Sequence, residues 1–177
     1  MTSARRNVQK GYAFKMVESP IGGLKLVASK DGLAGILWEK DHPRRVRLNV
    51  IAKDENHPIL LEAERQLKEY FSRRRKAFDL KLDFAGTEFQ KKVWQALLTI
   101  PFGETRSYGQ IARQIGSPNA MRAVGAAIGK NPISIVAPCH RVIGSTGELT
   151  GFAGGLEAKA HLLGLEGSEA KRIKKAA

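Results

Sequence analysis

The chain changes its hydrophobic pattern once, after "DLKLDFAG" (Asp79 to Gly86), and that switch divides what it can fold into. Before it, short apolar and β-branched runs dominate. "YAFKMVESP" and "GGLKLVAS" flank a Pro20–Gly23 turn and predict a hairpin, and "GLAGILWEK" after Asp31-Gly32 predicts a third strand. One helix follows: in "HPILLEAERQLKEYFSRRRKAF", Ile59, Leu60, Leu67 and Phe71 fall at helical spacing behind Pro58. Arg73, Arg74, Arg75 and Lys76 are expected to end it, either as cations complementing the helix dipole or as a nucleic-acid contact.

From Gly86 onward the period is helical. Thr87 is expected to cap "EFQKKVWQALLTI", whose Phe89, Val93, Leu97 and Ile100 form one stripe, so Trp94 reads as core rather than as a base-stacking ring. "PFGE" breaks that helix. Ser107 caps "YGQIARQIG", which stops at Gly116. Ser117 is expected to cap a third helix, "PNAMRAVGAAIGK", with Pro118 at its first position and Asn131-Pro132 stopping it. Two short helices joined by "GSP" resemble a helix-turn-helix. The second is nearly bare along Ala120, Ala123, Gly125, Ala126 and Ala127, which allows close approach to another helix or to a nucleic-acid groove.

The excess of positive charge is spread over both halves. Lys and Arg number 18 against 11 Asp and Glu before Gly86, and 12 against 6 from it onward, for a net charge of +13. Such a surface suits a polyanion, nucleic acid before an anionic membrane, although a merely solvated basic surface has the same composition. Apolar runs are too short to cross a bilayer, and Met1 to Lys10 has no signal-peptide pattern, so a reducing cytoplasm is the expected compartment.

The single cysteine, Cys139, lies in "VAPCHRVIG". It excludes an internal disulfide, and with four unpaired histidines no metal or other cofactor is expected. "ISIVAP" reads as a buried strand that ends just before it. A lone thiol is commonly a small core hydrophobe; alternatively His140 beside it is a base, with Arg141 next in line, and Cys139 is a nucleophile.

Motifs around the thiol settle on a resemblance. "PCHRV", with "RAVGAAIGKNPISI" before it, "GFAGGLEAKAHLLGLEG" after it, and "SYGQIA" and "FQKKVW" further upstream, is similar to the methylated-DNA–protein-cysteine methyltransferases, or O6-alkylguanine-DNA alkyltransferases, the bacterial Ogt-like branch most of all. The likeness runs without a gap from about Phe89 to Gly167 and is looser before that. It implies an α/β chain of two domains: a small ribonuclease-H-like domain with a mainly antiparallel sheet (1–86), and a winged-helix domain with the helix-turn-helix (87–177).

By that resemblance, Cys139 accepts an alkyl group from O6 of guanine or O4 of thymine in double-stranded DNA, irreversibly and once per molecule. His140 takes the thiol proton through a water, and Glu166 holds the imidazole, although the sequence alone reads Glu166 as a solvated helix end. The target base must be turned out of the stack through the minor groove. Arg122 matches the arginine that fills its place, and Tyr108 the tyrosine that presses on the 3′ phosphate; without the family both read as ordinary helix residues. Asn131 matches a hinge asparagine and is equally a helix cap before proline. Gln90, Ser117 and Ser145 match backbone contacts. Phe152-Ala153 replaces the Tyr-Ser of many members, so Phe152 can pack on the base but cannot donate to it, which leaves the N–H groups of Ala153 and Gly154. The resemblance implies a monomer without zinc. Two rivals use the same residues: a turning-over cysteine hydrolase or acyltransferase, and a winged-helix module that recognises alkylated DNA without transfer.

Overall fold

Residues 11–168 are described here from a computed structural model; the basic stretch Lys171 to Lys175 lies outside them. β1 (Tyr12–Val17) and β2 (Leu24–Ala28) form the expected hairpin, with Val17 opposite Leu24. β3 (Leu33–Trp38) continues it, placing Leu26 opposite Ile36 and Leu24 opposite Trp38. A fourth strand was not anticipated: β4 (Val50–Lys53) lies parallel to β1, giving the order β3-β2-β1-β4. Four residues carry too little period to read, even with Asn49 before them and Asp54 after them.

α1 (Pro58–Phe71) starts where His57 Nδ1 accepts the Ile59 N–H, and turns Leu60, Ala63, Leu67 and Tyr70 onto the sheet. It ends before the arginine run. Lys68 is the only cation in its last turn, and Arg73 already has a left-handed backbone (φ +63°). Arg75 then folds back, donating to Glu69 at 2.9 Å and to the Ala77 carbonyl.

α2 (Glu88–Leu97) and α3 (Tyr108–Gln114) each begin in a capping box, Thr87 with Gln90 and Ser107 with Gln110. Trp94 is core, with Nε1 donating 2.8 Å to the Ala127 carbonyl. α4 (Met121–Gly129) starts later than expected, and Ser117 is not its cap. The Ser117 N–H is bonded back to the Ala112 carbonyl and its own carbonyl accepts from Ala120, so 117–120 is a turn belonging to the end of α3, entered through Gly116 at φ +78°. α2, α3 and α4 close around Val93, Leu97, Ile111, Val124 and Ile128. β5 (Arg106–Ser107) and β6 (Val142–Ile143) pair beside them, and α5 (Leu156–Leu165) follows.

"ISIVAP" is not a strand. Only Ile133 bridges to the sheet, at Ile36, and the rest is a buried loop in which Ile135 adopts φ +75°. A β-branched residue there costs about 1–3 kcal/mol. Asn131 enforces it: its side chain accepts from the Ile133 N–H at 3.0 Å and donates to the Ala137 carbonyl at 2.9 Å. The loop's Ile133, Ile135 and Val136, with Ala158 and Leu162 of α5, complete the core begun by β2, β3 and α1, so the two halves share one apolar seam. Among the described residues no helix is long and apolar enough to cross a membrane.

Candidate active site

Cys139 opens a single 3₁₀ turn (Cys139–Arg141) at the end of that loop and is 6 % exposed. Burial pushes its thiol pKa up, while the Asn131 side chain and the Lys159 and Arg45 charges pull the other way. His140 is fully buried, and its Nε2 lies 2.8 Å from Glu166 Oε1. Burial pushes the imidazole pKa down against the pull of Glu166, so the ring is neutral at rest. With a carboxylate at Nε2, that nitrogen carries the proton and Nδ1 is the acceptor. Nδ1 has no partner among the described residues.

Glu166 terminates α5 and is 4 % exposed. Burial would raise its pKa, but His140 and Arg141 outweigh it and hold the carboxyl at about 2. It accepts from His140, from Tyr70 Oη at 2.8 Å, and from Arg141 Nε and Nη2 at 2.9 and 2.8 Å. Arg141 Nη1 is tied to the Ile100 carbonyl at 2.5 Å. Tyr70 comes from α1 in the other half of the molecule, and its hydroxyl is pushed far up by burial and by Glu166. The solvated helix end read from sequence is therefore a carboxylate with four donors.

Lys159 stands on the other side of the turn, 1 % exposed, donating to the Val142 carbonyl at 2.6 Å and the Thr150 carbonyl at 3.0 Å. Burial lowers its pKa to about 8. Arg45 reaches across from the segment after β3. Held by Asp41 at 2.6–2.7 Å, it donates to the carbonyls of Gly129 (3.2 Å) and Asn131 (2.9 Å) at the end of α4.

The fold thus gathers Cys139, His140, Glu166 and Asn131. Phe152 and Ala153 join them as walls of a cavity of about 90 Å³ at Cys139, and Gly154 sits behind, against Trp38. Tyr108 opens α3, its Oη 2.6 Å from Thr150 Oγ1. Arg122 is exposed on the first turn of α4, and Ser145 is exposed after β6. Ser117 and Gln90 are half-buried, and Gln90 Oε1 is occupied by the Thr87 N–H in the capping box. The bare face of α4 is Ala123, Ala126 and Gly129, since Ala127 points into the core.

Tyr70, Lys159 and Arg45 were missed in the sequence. Tyr70 continues the apolar stripe of α1, and nothing in a stripe tells where a hydroxyl will point. Lys159 lies one helical turn before Leu162 and Leu163 on the buried side of α5, a lysine where an apolar residue belongs, and that was the readable signal.

Fold and site together define a class: a two-domain α/β protein carrying a helix-turn-helix and, beside it, a buried thiol whose histidine is oriented by a carboxylate. Comparison with known proteins is specific. The model of the 6-O-methylguanine DNA methyltransferase ribonuclease-like domain matches residues 12–84, and that of the family's DNA binding domain matches 88–168. The chain belongs to this family. It is 49 % identical over 158 residues to a methylated-DNA–protein-cysteine methyltransferase of Methanosarcina acetivorans, covering 88 % of this chain and 98 % of that one. It is 51 % identical over 156 residues to the one of Mycolicibacterium paratuberculosis, covering 86 % and 91 %. The crystal structure of Mycobacterium tuberculosis OGT in complex with DNA matches with a TM-score of 0.78 and 47 % identity, covering 88 % of this chain and 92 % of that one.

Proposed function

We propose that this chain repairs DNA by moving an alkyl group from O6 of guanine, or O4 of thymine, onto Cys139 Sγ, once per molecule. The observation that carries this reading is the His140–Glu166 pair next to Cys139, with His140 Nδ1 left unpartnered. Nδ1 takes the thiol proton through a water. Sγ then attacks the alkyl carbon, forming S–C as C–O6 breaks, and the departing guanine takes up one proton at N1 to balance the one lost by the thiol. Glu166 stabilises the imidazolium that forms and keeps its tautomer. The product is a thioether, and the chain holds no second cysteine that could attack it.

A cavity of about 90 Å³ behind the protein surface cannot reach a stacked base, so the base is flipped. α4 enters the minor groove with Ala123, Ala126 and Gly129 towards the DNA. Arg122 fills the space the base leaves, and Tyr108 gives up Thr150 to press on the 3′ phosphate. Asn131 keeps α4 and the cysteine loop in register. Gln90, Ser117 and Ser145 hold the backbone. Phe152 packs on the base, and the N–H groups of Ala153 and Gly154, neither of them bonded within the described residues, receive charge developing on O6. Minor-groove readout discriminates sequence poorly, which suits repair anywhere, and the +13 charge supplies salt-sensitive affinity. The protein acts as a cytoplasmic monomer.

Intact-protein mass spectrometry after mixing with excess duplex bearing one O6-methylguanine tests this. The expected result is one added methyl per chain, mapped to Cys139, with Cys139→Ala gaining nothing while binding the duplex within about threefold of the parent, as phosphate contacts dominate affinity. An unchanged parent mass with retained DNA binding would overturn transfer in favour of a recognition module.

A further inference from the structure

The run "ISIVAP" carries one polar side chain, Ser134, and the proposed reaction gives it no task. Ser134 is 1 % exposed, and its Oγ is buried with no hydrogen-bond partner among the described residues. A buried hydroxyl without a partner is rare in a native core and destabilises it. The backbone beside it is strained as well. The Val136 N–H donates to the Ser134 carbonyl at 2.9 Å across Ile135 at φ +75°, in the manner of the uncommon γ-turn. Strain and unpaired polar groups of this kind collect at functional positions. Ser134 and Cys139 also wall the same cavity, the space of about 90 Å³. Against burial, which pushes the Cys139 pKa up, two side chains pull it down by hydrogen bonding, Asn131 and Ser134. The Asn131 carboxamide is already engaged, by the Ile133 N–H and the Ala137 carbonyl. The Ser134 hydroxyl is not, so it can answer a change at Sγ.

We propose that Ser134 is the hydrogen-bond donor for the Cys139 thiolate: its hydroxyl stands idle while Sγ carries a proton and turns to Sγ when that proton leaves toward His140. The other charged or titratable groups around the thiol are His140 in its own turn, with Glu166 behind it, Lys159 on α5 and Arg45 after β3. These are common to parent and variant, so a difference between the two belongs to Ser134. Such a donor has a signature that packing lacks. It raises the fraction of thiolate, yet each thiolate becomes a weaker nucleophile, by about half as much on a logarithmic scale. This inference deepens the transfer reaction proposed above by naming what receives the charge on sulfur.

The test compares the parent, Ser134→Ala and Ser134→Thr. Cys139 is the only thiol in the chain, so the ultraviolet absorbance of its thiolate can be titrated against pH with Cys139→Ala as the blank. Ser134→Ala should raise the midpoint by about 1 pH unit, a tenfold loss of thiolate, on the scale of a hydrogen bond to a charged acceptor. Ser134→Thr keeps the hydroxyl and should keep the parent midpoint. Methylation of Cys139 by methyl iodide, without DNA, should be about threefold slower in Ser134→Ala below both midpoints, and the deficit should vanish and reverse once both thiols are ionised. The urea midpoint of Ser134→Ala should equal or exceed the parent's, because an unpaired buried hydroxyl has been removed. An unmoved thiolate midpoint in Ser134→Ala, or a rise just as large in Ser134→Thr, overturns the donor role. A methylation deficit that stays the same at every pH, or a fall in urea midpoint, also overturns it and makes Ser134 a support of the loop. Failure of the parent to accept methyl from an O6-methylguanine duplex would instead overturn the underlying reaction and leave the thiolate midpoints as measured.

Discussion

Cys139 stands between two walls built on different principles. On the Glu166 side, one carboxylate collects His140, Tyr70 and the Nε and Nη2 donors of Arg141, with every group almost wholly buried. On the loop side, Gly151 to Gly154 is held by the Tyr108–Thr150 contact, one Lys159 bond to the Thr150 carbonyl and the packing of Trp38, and Ala153 is exposed. In the proposed reaction the first wall handles a proton, and a fixed dipole does that without reorganising. Under the transfer reaction proposed above, the second admits a base larger than the cavity it encloses, which a wall fixed to the same degree would not allow. Burial also pushes the thiol pKa up and the imidazole pKa down, so both groups favour their neutral forms at rest.

Variants of the rigid wall should have the largest effects. Glu166→Gln leaves Arg141 buried without its counter-charge, which costs about 3–5 kcal/mol, and frees the imidazole to rotate. The single-turnover methyl-transfer rate should fall about 100-fold or more, by the scale of lost histidine orientation in triads. A rate within threefold of the parent would remove Glu166 from the mechanism.

Lys159 gives the next effect, read against pH. Its folded pKa, about 8, is below the ordinary 10.5, so the unfolded chain binds more protons between those values and stability rises with pH across that window. The full gain is about 3 kcal/mol at 1.36 kcal/mol per unit. The Cys139 thiol, shifted up, titrates with the opposite sign, so urea midpoints from pH 8 to 10 belong in a Cys139→Ala background. Lys159→Met should flatten the rise; a rise that persists assigns it to another group.

Tyr70→Phe removes one of four donors on a charged acceptor, at about 1.5–3 kcal/mol of stability, and should slow transfer about 3- to 10-fold. Should DNA affinity fall with it, Tyr70 would be holding the fold rather than the histidine. The smallest effect belongs to the loop wall. Thr150→Val loses the contact to Tyr108, about 1 kcal/mol, and should change transfer by less than about threefold, with Thr150→Ser restoring the parent value. A loss as large as that of Tyr70→Phe would mean that the two walls are equally rigid.

Local signals in the sequence were the reliable ones. The capping boxes at Thr87 and Ser107, the hairpin at Pro20–Gly23 and the stripe placing Trp94 in the core depend on neighbours within four residues. Cys139 and His140 are adjacent in the chain, so half of the site was legible as a word. Glu166 lies 26 residues beyond His140 and could be assigned only through the family likeness; from residues alone a helix-terminal glutamate reads as solvated. Tyr70 is 96 residues from Glu166, and no periodicity reports such a pair. "ISIVAP" failed for another reason: a buried loop and a buried strand use the same apolar residues, and the Asn131 carboxamide that decides between them lies outside the run. Ser117 failed because a good capping residue had already been claimed by the preceding helix.

The Tyr70 hydroxyl on Glu166 has a consequence for how this chain can be divided. All of the residues assigned above to the proposed transfer step sit after Gly86, and that half could be expected to work by itself. Yet the helix before the junction supplies one of the four donors on the carboxylate, and its sheet supplies the indole behind the substrate loop. A fragment cut at the junction would keep α4 and the thiol while losing a brace from each wall. Modularity at the level of chain order is therefore not modularity at the level of the site: the first half of this chain is part of the scaffold around Cys139.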